Sequence, residues 1–218
     1  MSVVVKLVTF CKRRAGLSVE AFQDEWRTTH AETVLRLPSL RGYAQSHVLL
    51  SGYRKREPFC DVLDEMWFAD RGALEAACAS QPFADTGARR LVTIEHLVKE
   101  GRQLGAGVKN IELVVRRPDL AVEEFHRYWR VHHGPLAARI APIRRYVQSH
   151  SIDDPATRRY DGIASTWFDD VDAMRASAAT EEYRQTREDE DNFVTPPLSF
   201  VITREHVLVA PPALKNDD

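Results

Sequence analysis

Histidines and aromatic residues recur in the same order at two places in the chain, and these side chains can move protons and enclose an apolar ligand. The sequence contains eight histidines, and six of them fall into matched pairs: His30 with His133, His47 with His150, and His96 with His206. An imidazole gives or takes a proton near neutral pH without a large shift of its pKa. The pattern therefore indicates proton transfer on a small molecule, with histidines that only hydrogen-bond inside the core as the structural alternative.

The matched pairs belong to an internal repeat. The segment VVVKLVTFCKRRAGLSVEAFQDEWRTTH aligns with AGVKNIELVVRRPDLAVEEFHRYWRVHH, and CDVLDEMWFAD aligns with YDGIASTWFDD. The order is fixed and the offset changes little, from 103 residues (133 − 30) to 100 (167 − 67), which indicates two copies of one unit. We predict a first unit over residues 1–99, a linker over 100–107, a second unit over 108–210 and a loose polar tail over 211–218.

Each copy is predicted to contain four strands and two helices. In the first copy, apolar alternation predicts strands over residues 4–12, 41–50, 61–68 and 91–99. Ser18 is a suitable N-cap, and Phe22, Trp26 and His30 follow on one stripe of a helix. The order strand, helix, strand, strand, helix, strand is that of a ferredoxin-like α+β unit, which leaves one sheet face bare. A second copy in the same chain would cover that face, so we expect the two sheets to close a barrel as an intramolecular pseudo-dimer.

The first helix and the second strand of each copy carry the candidate site. Inward-pointing aromatic side chains would form the apolar wall that binds the substrate: Phe22, Trp26, Phe125 and Trp129. The second strand places a phenol, an amide and an imidazole on one face, about 6.5–7 Å apart. These residues are Tyr43, Gln45 and His47 in the first copy and Tyr146, Gln148 and His150 in the second. His30 or His133 would act as general base or acid, while the tyrosines and the strand histidines would polarise a carbonyl or a phenolate. The strand face would equally suit a hydrogen-bond ladder inside the barrel, and the sequence leaves open which side of the sheet it occupies.

Charged residues near the strands add further candidates. Asp61 and Asp161 begin the third strand of each copy and could orient a histidine or only cap the strand. Glu65, which Ser165 replaces in the second copy, is a candidate base in the first copy alone, so the two copies need not carry equivalent sites. The expected partners of a substrate carboxylate are Arg41 and Arg144.

Composition excludes several classes of protein. The formal net charge is −2, so an electrostatic nucleic-acid binder is not expected. No apolar run approaches the roughly 20 residues that span a membrane, and the opening MSVVVKL is too short for a signal-peptide core. The three cysteines lack metal-like spacing and suit a reducing, cytoplasmic location. No metal and no cofactor are expected, because the sequence lacks chelating pairs, a Gly-rich phosphate loop and a dinucleotide fingerprint.

The chain resembles the EthD family of the dimeric α/β-barrel superfamily. The resemblance rests on KRRAGLSVEAFQDEWRTTH, LPSLRGYAQSHV and DVLDEMWF in the first copy and on RRPDLAVEEFHRYWRVHHGPL, IRRYVQSH and YDGIASTWFDD in the second. It implies a tandem member, with both halves of the usual dimer in one polypeptide, and a site between helix and sheet within each copy. Relatives in the superfamily include aromatic polyketide cyclases, muconolactone isomerases, cofactor-free monooxygenases and haem enzymes, so the resemblance implies the fold more firmly than the reaction.

We therefore expect a cofactor-independent enzyme that acts on a hydrophobic, aromatic or polyketide-like metabolite by histidine-mediated proton transfer, as a cyclase, dehydratase, isomerase or lyase. The alternatives are a cofactor-free monooxygenase and a non-catalytic ligand-binding accessory module. The sequence leaves open which copy is active and whether the barrel pairs into a further homodimer.

Overall fold

The computed structural model describes residues 3–80, 89–101 and 107–214. The chain divides into two compact units, one of residues 1–94 with 203–213 and one of residues 95–202 with 214–218. The predicted linker 100–107 and the predicted tail 211–218 lie partly outside the described residues, so these boundaries stay predictions.

The first unit has the predicted order of strands and helices. Its elements are β1 (Val5–Cys11), α1 (Val19–Glu25), α2 (Ala31–Leu35), β2 (Leu40–Val48), a 3₁₀ turn (Leu50–Arg54), β3 (Val62–Phe68), α3 (Arg71–Ser80) and the start of β4 (Arg89–Lys99). β1 pairs antiparallel with β3 and β4, and β2 pairs antiparallel with β3. Ser18 caps α1 as predicted, because its Oγ accepts a hydrogen bond from the Ala21 amide at 3.1 Å.

The second unit repeats this order and contains one helix, α7, that the repeat does not predict. Its elements are β5 (Val108–Val114), α4 (Val122–Tyr128), α5 (Gly134–Ala138), β6 (Arg145–Ser151), β7 (Gly162–Phe168), α6 (Val171–Ser177), α7 (Glu181–Asp189), a 3₁₀ turn (Glu190–Asn192) and the start of β8 (Ser199–Val209). β7 pairs antiparallel with both β5 and β6. Thr180 caps α7, because its side chain accepts a hydrogen bond from the Tyr183 amide at 3.2 Å.

Hydrogen bonding orders the strands as β1-β3-β2-β8-β5-β7-β6-β4 and closes them into a barrel. β4 and β8 each contribute residues to both units, changing from one to the other after Ile94 and after Ile202. The predicted fold, two βαββαβ units that form an intramolecular α/β-barrel, is confirmed. Over the described ranges, every helix is too short or too polar to cross a membrane.

A π-helical turn interrupts the first helix of each copy at the histidine. The sequence predicts a single continuous helix, but Trp26–His30 forms a π-helical turn between α1 and α2, and Trp129–His133 forms one between α4 and α5. A stripe with steps of four residues drifts around an α-helix, which has 3.6 residues per turn. The wider π-helical turn reduces that drift and stacks the His30 ring on the Trp26 ring, with centroids 3.8 Å apart. Such turns occur frequently at functional sites.

Candidate active site

The second unit contains a cavity of about 310 Å³ between its helices and the sheet. This volume lies at the lower end of the range of about 300–1,000 Å³ found for small-molecule sites. Most of the lining is aliphatic or aromatic, and its polar groups include side chains from strands β5 and β6, the π-helical turn, α7 and the 3₁₀ turn after α7. Those on which the argument depends are Asn110, Glu112, His133, Tyr146, Arg187 and Glu190.

His133 enters the cavity as one half of a histidine–aspartate dyad. The side chain is buried, and its Nδ1 lies 2.9 Å from Oδ2 of Asp189 at the end of α7. The same carboxylate accepts hydrogen bonds from the Tyr128 hydroxyl at 2.7 Å and the Asn192 amide at 3.1 Å. The hydrogen bond from His133 lowers the pKa of Asp189 to about 2, and those from Tyr128 and Asn192 add to this effect.

The ionised Asp189 decides which imidazole nitrogen is available. A carboxylate can only accept, so Nδ1 of His133 carries a hydrogen, and in the neutral imidazole Nε2 then carries the lone pair. Nε2 makes no hydrogen bond to any described residue. His133 at the cavity therefore offers a nitrogen, Nε2, that can accept a proton. The negative charge of Asp189, bound to the opposite ring nitrogen, would stabilise the imidazolium.

Tyr146 supplies a hydroxyl whose proton has no acceptor among the described residues. Its oxygen accepts from Trp129 Nε1 at 3.1 Å and from Gln148 Nε2 at 3.2 Å. The orientation of the Gln148 amide is fixed, because the same Nε2 donates to the Trp129 carbonyl at 2.8 Å. Both neighbours of the phenol oxygen are thus donors. Burial raises the pKa of Tyr146, so the hydroxyl stays protonated and can donate to an oxygen atom of a ligand.

Two carboxyl groups and one guanidinium lie elsewhere on the cavity wall. Nη1 of Arg187 is 3.0 Å from Glu112 Oε1 and 2.8 Å from Glu190 Oε1. Burial is the main cause that raises the pKa of Glu190 to about 8; the charge of Arg187 opposes the rise, and the carboxylates around it reinforce it. Glu190 is therefore mostly a neutral acid at pH 7.

In the first unit, Asp64 occupies the position that is open in the second. Asp64 is 1% exposed and accepts hydrogen bonds from Trp26 Nε1 at 2.9 Å and from the Tyr43 hydroxyl at 2.9 Å. His30 Nε2 donates to the same carboxylate at 3.0 Å. The matching residue of the second unit is Ala164, which lines the cavity. Nε2 of His30 and the hydroxyl proton of Tyr43 are thus bound by Asp64, whereas the same groups of His133 and Tyr146 have no partner among the described residues.

The strand face that carries Tyr-x-Gln-x-His lies against the helices of its own unit. Gln45 Nε2 donates to the Trp26 carbonyl at 2.9 Å, as Gln148 does to Trp129. His150 stacks on Trp129 with centroids 4.7 Å apart and is not among the residues that line the cavity. Burial lowers the pKa of His150 well below its ordinary value. His47 is likewise buried, and burial lowers its pKa to about 4. A catalytic role for the two strand histidines stays a prediction.

The structure does not bring the other predicted acids to the histidines. Asp61 pairs with Lys12 and Arg13 at 3.2 and 2.5 Å. Asp161 pairs with Arg158 at 2.6 Å, so both aspartates hold basic loop residues. The remaining acid, Glu65, alternates with Asp64 along β3 and lies on the opposite sheet face.

There Glu65 accepts from Lys6 Nζ at 3.1 Å and from Ser46 Oγ at 3.3 Å. The β3 carboxylate that reaches His30 is its neighbour Asp64. A role for Glu65 as a base in the first copy stays a prediction.

The predicted substrate-binding residues are divided in the same way. Trp129 lines the cavity. Phe125 lies in the adjoining hydrophobic core, and Phe22 and Trp26 lie in the equivalent core of the first unit. The predicted carboxylate-binding arginines lie away from the cavity, because Arg41 is exposed and Arg144 pairs with Asp169 at the surface at 2.8 Å.

The sequence interpretation missed most of the polar residues of the cavity. Differences between the copies mark two of these residues, since Leu7 becomes Asn110 and Thr9 becomes Glu112. A third difference places Ala164 on the cavity wall in place of Asp64. Asn110 Oδ1 is buried and has no hydrogen-bond partner in the described part of the chain. No repeat signal points to Asp189, Arg187 and Glu190, because α7 lies outside the matched segments.

The chain matches the model of the EthD domain over residues 14–89 and 117–197. These two segments cover more than half of the chain and fall in both copies, so the protein belongs to the EthD family, as a tandem member. No curated protein matches it.

Solved structures share the fold at low sequence identity. An "anthrone oxidase-like protein" is 11% identical with a TM-score of 0.66, and 98% of each chain is covered. A "putative monooxygenase" from Lactobacillus acidophilus is 12% identical with a TM-score of 0.58, covering 97% of this chain and 98% of the other. A structure named "Putative Chlorite dismutase TA0507" is 12% identical with a TM-score of 0.57, covering 94% of this chain and 96% of the other. At these identities the likeness supports the fold alone.

Proposed function

We propose that the cavity of the second unit is the active site of a cofactor-free oxygenase. Its substrate would be a small aromatic ketone with an acidic C–H group next to the carbonyl, or the enol form of such a ketone. The observation that carries this proposal is the buried His133–Asp189 dyad, whose Nε2 has no partner among the described residues and lies at an apolar cavity.

The dyad and the tyrosine suit the first step, removal of a proton from carbon. Nε2 of His133 takes the proton, and the ionised Asp189 stabilises the imidazolium that results. The Tyr146 hydroxyl donates to the carbonyl oxygen as it gains negative charge. The apolar wall strengthens both interactions, because charges attract more strongly where water is excluded.

The substrate anion would then supply electrons to dioxygen. A C–O bond forms at the deprotonated carbon and the oxygen is protonated, which gives a hydroperoxide. Loss of water from the hydroperoxide leaves a new carbonyl group. In total, a CH₂ group and O₂ become C=O and H₂O, so no external reductant is required.

Two lines favour the oxygenase over the proton-transfer enzyme expected from the sequence. The first is the names of two fold neighbours, "anthrone oxidase-like protein" and "putative monooxygenase". The second is that a stabilised carbanion in an apolar cavity is the species that reacts with dioxygen. A cyclase or isomerase would use the same His133 and Tyr146 without oxygen, and oxygen uptake separates these reactions.

The test measures dioxygen consumption and product formation with a hydroxylated anthrone as probe, after subtraction of the rate without enzyme. We expect one O₂ consumed per new carbonyl group. His133→Ala should lower kcat by about 100-fold or more, while the exposed neighbour His132→Ala should retain wild-type activity. Turnover of the probe without oxygen would identify a proton-transfer enzyme, and binding of the probe without any turnover would identify a ligand-binding module.

A further inference from the structure

Glu112 and Glu190 share a single nitrogen of Arg187 at the cavity wall. Glu112 comes from β5, whereas Glu190 directly follows α7, and their oxygens lie 3.0 and 2.8 Å from the same Nη1. The side chain of Glu190 is only 12% exposed and that of Glu112 only 16%. Two largely buried carboxyl groups thus share one guanidinium.

The charges around Glu190 favour its neutral form. If both glutamates were ionised, the group with Arg187 would carry one net negative charge inside the wall of an apolar cavity. Asp189 and Asp191 add further negative charge beside it, and burial with these carboxylates raises the pKa of Glu190 to about 8 despite Arg187. One proton makes the group neutral. A protonated carboxyl can still accept from Arg187 with its carbonyl oxygen, while its O–H is available to a ligand.

We propose that Glu190 is the catalytic acid that completes the reaction started by His133. The inference rests on the proposed function, which leaves one proton to be placed. When the hydroperoxide collapses, His133 removes the second C–H proton, the C=O bond forms and the O–O bond breaks. The distal oxygen takes the proton of Glu190 and leaves as water. The imidazolium and the Glu190 carboxylate then return to their starting forms through proton exchange with solvent.

A merely structural Glu190 would only hold the Arg187 side chain, which itself joins α7 to Glu112 of β5, and would give no proton. Glu190→Gln separates the two roles, because glutamine keeps the shape and can still accept from Arg187 but cannot give up a proton. Glu188→Gln is the matched control, since Glu188 is an exposed carboxylate two residues away.

Two readouts with the hydroxylated anthrone distinguish the steps. In D₂O without oxygen, replacement of the acidic C–H by C–D, followed by NMR, reports on proton removal by His133 alone. With oxygen present, the rate of O₂ uptake reports on the whole reaction.

We expect Glu190→Gln to keep the exchange rate within about twofold and to lose about 100-fold in kcat for oxygen uptake. The wild-type kcat should fall as pH rises through 8, and this alkaline decline should be absent in the variant. Wild-type oxygen uptake in Glu190→Gln would overturn the inference while leaving the proposed function intact. If Glu190→Gln lost both hydrogen exchange and oxygen uptake, the inference would be overturned and Glu190 would be a positioning residue. Absence of exchange and of oxygen uptake in the wild type would overturn both.

Discussion

Replacement of Glu190 by glutamine is expected to stabilise the protein at neutral and alkaline pH. The unfolded chain ionises this carboxyl near its ordinary pKa of 4.5, whereas the folded chain holds the proton up to about pH 8. Between these values the folded state binds more protons than the unfolded state. The free energy of unfolding therefore decreases as pH rises through this window.

The size of the effect follows from the shift in pKa. Each pH unit in this window lowers the free energy of unfolding by about 1.4 kcal/mol. The shift of the Glu190 pKa from 4.5 to about 8 therefore lowers it by about 5 kcal/mol at pH 8. Glutamine cannot ionise, so the variant should not show this decline. The gain of Glu190→Gln over wild type should accordingly be small near pH 4.5 and largest above pH 8.

Urea denaturation at a series of pH values, followed by tryptophan fluorescence, measures this difference. Glu188→Gln is again the control, because an exposed carboxylate should leave the pH dependence unchanged. Curves of wild type and Glu190→Gln that run parallel from pH 4.5 to 8 would refute the argument that Glu190 is neutral in the folded protein. The test requires no substrate and is therefore independent of the proposed reaction.

Three further predictions concern the groups that shape the two units. Asp64→Ala should lower the free energy of unfolding by about 3 kcal/mol or more, since it leaves buried donors without an acceptor; a loss under about 1 kcal/mol in urea denaturation would contradict this. Gly162→Ala should displace Trp129, because an added Cβ would lie 2.5 Å from its ring. The substitution should lower the free energy of unfolding by about 1–3 kcal/mol and weaken probe binding, measured by fluorescence titration. The control is Gly52→Ala, which should change neither, because its Cβ would have its nearest neighbour at 3.5 Å. Burial lowers the pKa of His47 to about 4, so this residue should account for a loss of about 3 kcal/mol in the free energy of unfolding between pH 6.5 and 4. The difference between wild type and His47→Asn over this range measures that share, because the other titrating groups are common to both proteins.

The fold could be predicted from the sequence because its signals are local and occur twice. Alternation of apolar residues marks the strands, Ser18 marks the start of the first helix, and the repeat shows which segments correspond. The bare sheet face of one βαββαβ unit then requires a partner, which the second copy provides. The π-helical turns were not predicted, because steps of four residues are also compatible with an ordinary α-helix over two turns.

The site could be predicted only in part, because its partners come from distant segments. His133, Tyr146 and Trp129 were found through their repetition. The residue that orients His133 was not, since Asp189 lies 56 positions later, in a helix outside the repeat. Repetition favoured Asp61 and Asp161 as orienting acids, but both pair with basic loop residues.

The difference between the copies was in fact more informative about the site than their similarity. A repeated residue must satisfy the fold of both units, so repetition alone cannot separate a structural histidine from a catalytic one. A polar residue that replaces an apolar one on the helix-facing side of β5, such as Asn110 for Leu7, has no such structural reason. The opposite exchange, Ala164 in place of Asp64, is equally informative. It removes an acceptor to which three neighbours donate in the first unit.

The two histidines of the repeat therefore differ in which nitrogen is bound. In the first unit the acid lies on the sheet, so Asp64 accepts hydrogen bonds from Nε2 of His30 and from the hydroxyl of Tyr43. In the second unit the sheet position is alanine and the acid lies on α7, so Asp189 takes Nδ1 of His133 and leaves Nε2 to the cavity. Moving one carboxylate from β3 to the helical side converts a satisfied core histidine into a base with an open nitrogen. It also frees the hydroxyl proton of Tyr146, because that proton has lost its acceptor. This is the physical reason to place the proposed chemistry in the second unit, while a catalytic role for His30 in the first stays a prediction.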